Sequence, residues 1–416
     1  MAKKNFITPI LLLVALLIGF GCAKSDRDFE VFVNAGEKLI SGLNLYKPPF
    51  ALNLQYYYSP FFALLMAPVS YLPLLVAETI WGFLSCVFLY QIWRISQSYF
   101  NTNALTQKQK NFWLLLSIIF TARFIRYDMT TIQVTIFLTW ATLQSLKFFD
   151  REKPIAGAAL LALAINIKLL PLPFLLYLIY RRQFLGASLT CVFYIAYLCV
   201  PAIFIGWNRN VFLLSEWFAI INPNNKEWII EAENGPSSLV AMIPVYITDT
   251  IGVLPVKRNF INLPFKSVFI ILNMVRLFFV ALTLFFLRMP PFCTITDKRR
   301  LFWERSYLFI AVPLLFPHQQ RYAFVFMAPA LIYIAWYLVT NWSTLKQKYS
   351  YLTWTLLFLV LIHFTPLIGR DIISSYVYEL FLHYRVLTFA GIALVIVLYC
   401  FKPTFKFEEI KPTNIE

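Results

Sequence analysis

Charged residues are scarce in this chain. Asp, Glu, Lys and Arg together make up 13% of its 416 residues, while apolar residues make up 60%. A soluble domain carries about 25% charged residues, so the composition excludes that class. Apolar runs of about 20 residues, each long enough to cross a bilayer as a helix, recur along nearly the whole sequence. The chain is therefore expected to be a polytopic, all-α membrane protein.

Motifs of soluble enzymes are missing as well. The sequence contains no Gly-x-Gly-x-x-Gly, no P-loop, no His-Glu-x-x-His and no Gly-x-Ser-x-Gly. Its six cysteines form no Cys-x-x-Cys pair and no metal-ligand spacing with histidine. We therefore predict no cofactor and no set of metal ligands. The isolated carboxylates argue against a tight metal site, and whether a divalent metal assists is left open. No loop is long enough to hold a nucleotide-binding domain.

The net charge of +16 does not indicate a nucleic-acid-binding protein. The basic residues lie mostly at the ends of apolar runs, where they determine membrane topology. In a twelve-helix arrangement more than half of them fall in the inner loops, which contain few acids. This asymmetry predicts that both termini are cytoplasmic and that the polar residues described below face the outside. Nucleic acid is not an expected partner.

The apolar runs predict about twelve spanning helices in one integral domain over residues 1–416. Two polar segments lie between them on the outer side, a first outer loop at 23–73 and a longer loop at 207–263. We interpret the first run as a retained signal-anchor helix. The alternative, a cleaved lipoprotein signal, would require Leu where the chain has Gly19. The predicted spans are 6–22, 74–96, 110–124, 130–148, 154–166, 169–180, 184–206, 264–287, 305–316, 320–340, 351–368 and 380–401.

The first outer loop carries the best candidate for chemistry. Apolar residues at helical spacing predict an amphipathic surface helix over 29–41. Residues 59–71 are short for a span and predict a second surface or re-entrant helix, with a short span as the alternative. Asp28 directly precedes the first of these helices, at the membrane surface where a lipid-linked substrate presents its head group. We interpret Asp28 as a general base. The alternative is that it only caps the helix.

An ordered set of residues in this loop fits a known pattern: Asp28-Phe29, Phe32, Gly42, Leu45-Tyr46 and Tyr58-Ser59-Pro60-Phe61. They resemble the first outer loop of glycosyltransferase family 87, a GT-C type family that depends on polyprenol-phosphate-mannose. The resemblance implies a GT-C-like bundle of about twelve helices in a bacterial inner membrane. It also implies a polyprenyl-phosphate-linked sugar donor and a lipid or glycan acceptor. Tyr46 and Tyr58 are the weaker candidates that it offers for contact with the sugar or the acceptor.

Lys168 is a lone ammonium between two short apolar helices, and Pro171 and Pro173 follow it. A charge at this depth is retained only with a partner or a watery pocket, and the prolines indicate a break that lines a cavity. We interpret Lys168 as a ligand of the donor phosphate. The alternatives are snorkelling to the interface and a structural ion pair.

Arg126 belongs to the segment ARFIRYDMTTIQVTIFL, where the family carries an Arg followed by Gly-Gln-Val-Asn. Gln133-Val134 fit this pattern, whereas Ile132 and Thr135 depart from it. The resemblance makes Arg126 a second candidate for the donor phosphate. The alternative is an ordinary charged loop in which Arg126 pairs with Asp128.

Two later segments complete the candidate site. FPHQQRY supplies His318 and Arg321, at the place of a family motif that contains His-Tyr, and both side chains can bind phosphate oxygens. In the loop at 207–263, Asn-Gly-Pro-Ser-Ser-Leu is similar to the family's Gly-Asn-Gln-Ser-Leu and offers Asn234 and Ser238 for hydrogen bonds to a sugar. The alternatives are a structural histidine and an ordinary turn with its caps.

The sequence thus predicts a glycosyltransferase that moves a hexose, mannose by resemblance, to an acceptor hydroxyl on the outer face of the inner membrane. Cations would neutralise the departing phosphate while Asp28 removes the acceptor proton, and in-line attack would invert the anomeric centre. The main alternative is a multi-pass transporter or a flippase of glycan precursors. A scaffold subunit with a degenerate site is the third interpretation.

Overall fold

The structure, a computed structural model, describes residues 7–23, 28–222, 235–287, 292, 295–317, 319–369 and 372–403. Over these residues the chain is helical, and its one extended pairing is an isolated bridge between Pro236 and Gln320. The helices in chain order are α1 (Ile7–Cys22), α2 (Phe29–Ile40), α3 (Pro60–Met66), α4 (Leu74–Gln97), α5 (Gln107–Thr130), α6 (Thr135–Phe149), α7 (Pro154–Ile167), α8 (Pro173–Tyr180), α9 (Phe184–Cys199), α10 (Pro201–Ile205), α11 (Trp207–Ile221), α12 (Leu239–Ile247), α13 (Phe265–Leu287), α14 (Lys298–Leu315), α15 (Ala328–Lys348), α16 (Tyr351–Phe364), α17 (Ser375–His383) and α18 (Val386–Cys400).

The number of spans is smaller than the predicted twelve when judged by length and composition. Four helical segments of the described chain are long and apolar enough to cross a membrane, or five if a pair bent by 65° counts as one. Several predicted spans are helices of 14 or 15 residues, such as α7 and α6, below the roughly 20 that a crossing needs. The all-helical class is confirmed and the count of twelve is not. The long segments are Leu74–Gln97, Phe184–Ile205, Phe265–Leu287 and Arg321–Ser343, with Ser375–His383 plus Val386–Cys400 as the bent pair.

The first outer loop contains the predicted surface helices. The amphipathic helix is α2, whose Phe29, Phe32 and Leu39 are buried, and it packs on α3 at Gly36, where a Cβ atom would lie 2.6 Å from the backbone of Met66. In α3 the Ser59 hydroxyl accepts a hydrogen bond from the amide of Phe62 at 3.2 Å. A serine cap followed by proline is a favoured helix start.

The segment at 207–263, predicted as a loop, contains two helices, α11 and α12. One face of α11 is buried through Leu213 and Trp217, while Trp207 and Phe218 remain exposed. Such a helix fits the membrane interface. The α11 side chains also hold the first outer loop, because Trp217 donates from Nε1 to the carbonyl of Tyr57 at 3.1 Å and Arg209 donates to the carbonyls of the loop.

Gly19, the residue that departs from the lipoprotein motif, has a packing role. A Cβ atom at Gly19 would lie 2.7 Å from the amide nitrogen of Phe83, and one at Gly82 would lie 2.8 Å from the Cα atom of Gly19. The backbones of α1 and α4 therefore approach closely at this glycine pair. Small residues at a helix contact are typical of membrane bundles, where close packing replaces the hydrophobic effect.

A buried ionic network joins α6, α8 and α14 at one end of the bundle. Arg305 donates to both carboxylate oxygens of Asp150 at 2.6 Å, and the hydroxyl of Tyr99 donates to the same carboxylate at 2.7 Å. Beside it, Arg181 donates to Glu304 at 2.8 Å, and both side chains are almost completely buried. These acids and bases come from three parts of the sequence, and Tyr99 from a fourth, so the network fixes how the helices meet.

We expect Arg305→Met to lower the free energy of unfolding by about 3 kcal/mol, because removal of one member of a buried ion pair leaves its partner uncompensated. Denaturant unfolding in detergent measures this change. Arg299→Met is the matched control, since Arg299 is half exposed and 3.9 Å from Asp297, and it should change stability by less than about 0.5 kcal/mol. Equal stability of the two variants would contradict a structural role for the network.

Candidate functional site

The turn between α5 and α6 presents Gln133 to the first outer loop. Ile132, just before it, has a left-handed φ of 49°, a conformation that favours glycine. The family pattern described above has Gly at this position. Gln133 is buried and its Nε2 donates to Oδ2 of Asp28 at 2.9 Å. The hydroxyl of Tyr58 donates to Oε1 of the same amide at 3.4 Å. One amide therefore joins two predicted site residues that are far apart in sequence.

Asp28 occupies the N-cap position of α2, but its side chain makes no capping hydrogen bond. A capping aspartate accepts from the amide two or three residues later, whereas the Asp28 carboxylate accepts from Gln133. The cap interpretation therefore does not match the geometry. The carboxylate is oriented by a side chain of the helical bundle.

Tyr46 and Tyr58 have different positions in this arrangement. The hydroxyl of Tyr46 donates to the carbonyl of Tyr58 at 2.8 Å, and Tyr46 is buried. Tyr46 therefore supports the backbone of Tyr58. Burial raises the pKa of Tyr58, and the charges of Asp28 and Asp128 raise it further. The Tyr58 hydroxyl therefore stays protonated at neutral pH, as its role of donor to Gln133 requires.

Lys168 lies at the break that its neighbouring prolines predict. It is the C-cap of α7 in an extended conformation, and α8 begins only at Pro173. Its ammonium lies 5.5 Å from the centre of the Tyr322 ring, which is within the range of a cation–π contact. Tyr322 in turn lies close enough to Asp28 and Tyr58 to interact with them electrostatically. Lys168 and Asp28 thus border the same group of tyrosines.

Asp128 is a feature of this region that the sequence interpretation underrated. Its side chain is fully buried near the hydroxyl and amide of Thr135 and the amide of Ile136 at the start of α6, and it forms no ion pair within the described part of the chain. It lies within electrostatic range of Lys168 and of Tyr58. The alternative interpretation of an Arg126–Asp128 pair is wrong, because the two side chains lie on different faces of α5 and Arg126 is exposed.

Arg321 lies on the other side of Tyr322. Its guanidinium is 4.7 Å from the centre of the Tyr127 ring and donates to the Tyr127 hydroxyl at 3.3 Å. It also donates to the hydroxyl of Tyr378 on α17. The rings of Tyr127 and Tyr322 stack with centroids 6.1 Å apart. Arg321 is therefore joined through two tyrosines to the side that holds Lys168 and Asp28.

Four predicted site residues remain. Ser238 is buried and caps α12, since its hydroxyl accepts from the amide of Ala241 at 3.2 Å, which is the alternative interpretation of that segment. Arg126 is exposed on α5. His318 and Asn234 lie outside the described residues. Among the described residues, no three His, Cys, Asp or Glu side chains form a group that could hold a metal ion, and the prediction about metals remains a prediction.

These observations define an integral membrane protein with a polar, tyrosine-lined site at one end of a helical bundle. The sequence profile of Glycosyltransferase family 87 matches residues 56–293. The chain belongs to this family, which identifies it as a glycosyltransferase. The matched region includes Tyr58, Arg126, Lys168, Asn234 and Ser238, while Asp28, Tyr46, His318 and Arg321 lie outside it. Neither the curated proteins nor the solved structures gave a match.

We expect Gln133→Leu to release the first outer loop from the bundle. The substitution removes the donor to Asp28 and the acceptor for Tyr58, and an unpaired buried polar group costs about 1–3 kcal/mol. Amide hydrogen exchange in α2 should therefore become about 5- to 150-fold faster, while exchange in α15 stays unchanged.

Gln91→Leu is the matched control for this experiment, because Gln91 is an exposed glutamine on α4. Its exchange pattern should equal that of the wild-type protein. Unchanged exchange of α2 in Gln133→Leu would show that other contacts hold the loop and its carboxylate in place.

Proposed function

We propose that this glycosyltransferase moves a hexose from a polyprenyl-phosphate carrier to an acceptor hydroxyl, with inversion at the anomeric centre. The observation that carries the proposal is the grouping of one oriented carboxylate, Asp28, with two cations, Lys168 and Arg321, around Tyr322 and Tyr127. This is the minimum set for attack of a hydroxyl on a sugar phosphate. Mannose is the sugar that the family resemblance suggests.

The carboxylate would act as the general base. Gln133 binds one oxygen of Asp28, which restricts the rotation of the side chain and orients it toward the acceptor. A base acts only from hydrogen-bond distance of the proton that it removes. The position of Asp28 in a loop held by α11 and α3 supports this role, because such a loop can approach a head group at the membrane surface.

The cations would stabilise the departing phosphate. The ammonium of Lys168 contacts the Tyr322 ring, and the guanidinium of Arg321 contacts the Tyr127 ring that stacks on Tyr322, so we propose that the donor phosphate binds beside this pair of tyrosines. Charge-assisted hydrogen bonds to a phosphate strengthen as negative charge develops on the leaving oxygen. His318 and Arg126 belong to the proposal on the family pattern alone, and Tyr46 supports Tyr58 without touching substrate.

A groove along the side of the bundle supports a lipid-linked donor. It has a volume of about 570 Å³ and is lined by Trp140, Leu160, Leu163 and Tyr197. The ring of Phe61 on α3 stacks on Tyr197 at 4.9 Å. On α7 the lining runs from Ala156 to Leu163, and Lys168 caps the end of this helix, so a polyprenyl chain that continues along α7 would carry its phosphate toward that ammonium. We therefore propose that the groove receives the carrier chain.

The proposed setting is the inner membrane of a bacterium, with both termini in the cytoplasm and the site open to the outer face. The charge asymmetry of the loops and the family membership support it. An acceptor lipid or glycan would meet the site from the outside. The proposal needs no nucleic-acid partner and no cofactor.

We expect Asp28→Asn to reduce transfer by about 10²- to 10⁴-fold, the usual contribution of a general base, with donor binding nearly unchanged. The assay uses purified protein with polyprenyl-phosphate mannose, glucose or galactose and detects free polyprenyl phosphate by mass spectrometry. Glu30→Gln, two residues along in the first turn of α2, is the matched control and should retain activity.

The outcomes of this assay separate the proposals. Release of polyprenyl phosphate that persists in Asp28→Asn would remove Asp28 as the base and leave Asp128 as the carboxylate to test. Absence of release with all three donors, together with movement of the lipid across vesicles, would favour the flippase alternative.

We expect Lys168→Ala and Arg321→Ala each to weaken donor binding by about 10- to 150-fold, because each removes a charge-assisted contact of about 1.5–3 kcal/mol. Binding is measured by competition with polyprenyl phosphate. Lys108→Ala is the control, since Lys108 is exposed in the first turn of α5. Wild-type binding by both site variants would place the phosphate elsewhere.

A further inference from the structure

A second cavity lies between the 246–260 segment and the junction of α17 with α18. It has a volume of about 500 Å³ and combines two cations with aromatic rings. None of its lining residues belongs to the candidate site described above. Its principal lining residues are Tyr246, Lys257, Arg258, Phe260, Tyr384 and Phe389.

The cavity has a built framework rather than a loose surface. Arg258 is 5% exposed and donates to the carbonyls of His383 at 3.1 Å and Ile251 at 3.0 Å. The hydroxyl of Tyr246 donates to the carbonyl of Tyr384 at 2.7 Å. These bonds tie the 246–260 segment to the end of α17, so the walls of the cavity keep their spacing.

The charge of the cavity is positive and unbalanced. Neither Lys257 nor Arg258 forms an ion pair with a carboxylate of the described residues. The Lys257 side chain is exposed at the rim, whereas Nε of Arg258 is buried and lacks a hydrogen-bond partner within the described chain. A buried donor without a partner usually has a ligand or water in the functional state. The cavity therefore favours an anion.

The rim of the cavity is strongly apolar. Ile251 is 91% exposed and Phe260 is 84% exposed, and the Phe260 ring stacks on Tyr246 with centroids 5.6 Å apart. Apolar and aromatic side chains that project beside a lysine are typical of protein segments in the head-group region of a membrane. A free aqueous anion gives no reason for this rim, whereas an anionic lipid has both a phosphate and acyl chains.

We propose that this cavity binds the phosphate head group of an anionic membrane lipid. Lys257 contacts the phosphate at the rim, Arg258 keeps the floor of the cavity positive, and Ile251 and Phe260 contact the upper acyl chains. The proposal concerns binding alone and does not depend on the transfer reaction.

The cavity is connected to the candidate site by two short helices. The α12 helix begins next to Gln319, whose carbonyl accepts from the amide of Ser237 at 2.8 Å, and it ends near Tyr246. The α17 helix carries Tyr378, which binds Arg321, and ends beside Tyr384. From Tyr378 to Tyr384 the helix rises by about 9 Å, so α17 directly joins the Arg321 contact to the cavity. Lipid binding would therefore stabilise elements that hold Arg321.

Native mass spectrometry of the full chain in detergent tests the proposal. The wild-type protein should retain phosphatidylglycerol in preference to phosphatidylcholine. Lys257→Glu should weaken phosphatidylglycerol binding by about 10-fold or more, because it replaces attraction by repulsion at an anionic group. Phe260→Ser should weaken it without changing the charge. Lys266→Glu makes the same charge change at an exposed residue outside the cavity and should change binding by less than about 2-fold.

Three outcomes would overturn the assignment. Equal retention of the two lipids would remove the head-group preference, and equal losses in Lys257→Glu and Lys266→Glu would reduce it to general surface charge. Binding of inorganic phosphate as tight as that of phosphatidylglycerol, and equally sensitive to Lys257→Glu, would make the cavity a site for a free ion. Thermal unfolding of each variant shows that a loss of binding is not a loss of fold.

Discussion

The candidate site depends on a single amide, that of Gln133. Its side-chain Nε2 donates to Asp28, and its Oε1 accepts from Tyr58. The backbone carbonyl of Gln133 also accepts from Nε1 of Trp81 at 3.1 Å. The other contacts of the first outer loop are apolar packing and hydrogen bonds from α11 to loop carbonyls, which hold the segment in place but do not orient the Asp28 carboxylate. The left-handed backbone at Ile132 is strained, and this strain accompanies the turn that places the Gln133 amide next to Asp28.

Buried charged side chains are arranged differently at the two ends of the bundle. At the end with Arg305 and Asp150, the acids and bases are paired and hydrogen-bonded at short distances, which is how a low-dielectric interior tolerates them. At the end with Asp128 and Lys168, the carboxylate lies near the hydroxyl and amides at the start of α6, the ammonium contacts an aromatic ring, and neither forms an ion pair among the described residues. The first arrangement serves stability. The second has free capacity for a polar ligand, which suits a place where substrate binds.

Local patterns in the sequence predict local structure well. The spacing of Phe29, Phe32 and Leu39 predicts α2, and the prolines after Lys168 predict the break at the end of α7, because both signals act within a few residues. The count of spans was not predicted with the same success. Short apolar helices that pack inside a bundle have the same composition as membrane-spanning helices. The composition of an apolar run of 14 residues therefore does not show whether the run crosses the membrane.

The contacts that assemble the site could not be predicted from local sequence patterns. Gln133 and Asp28 are 105 residues apart, and only the fold brings them together. The predicted pair of Arg126 with Asp128 is wrong because residues two positions apart point to different faces of a helix. The sequence did not show that α5 continues to Thr130 and so includes both residues. The chain has 23 tyrosines, and nothing local marks Tyr127, Tyr322 and Tyr378 as the ones around Arg321.

Arg321 begins the most enclosed span of the described chain. In the segment Arg321–Ser343 the apolar window is 89% buried, against 11% in Phe184–Ile205. A helix surrounded in this way has no room to tilt or slide, so the arginine keeps a fixed position while substrates come and go. Any rearrangement that admits a lipid-linked molecule would therefore have to come from other parts of the bundle than this helix.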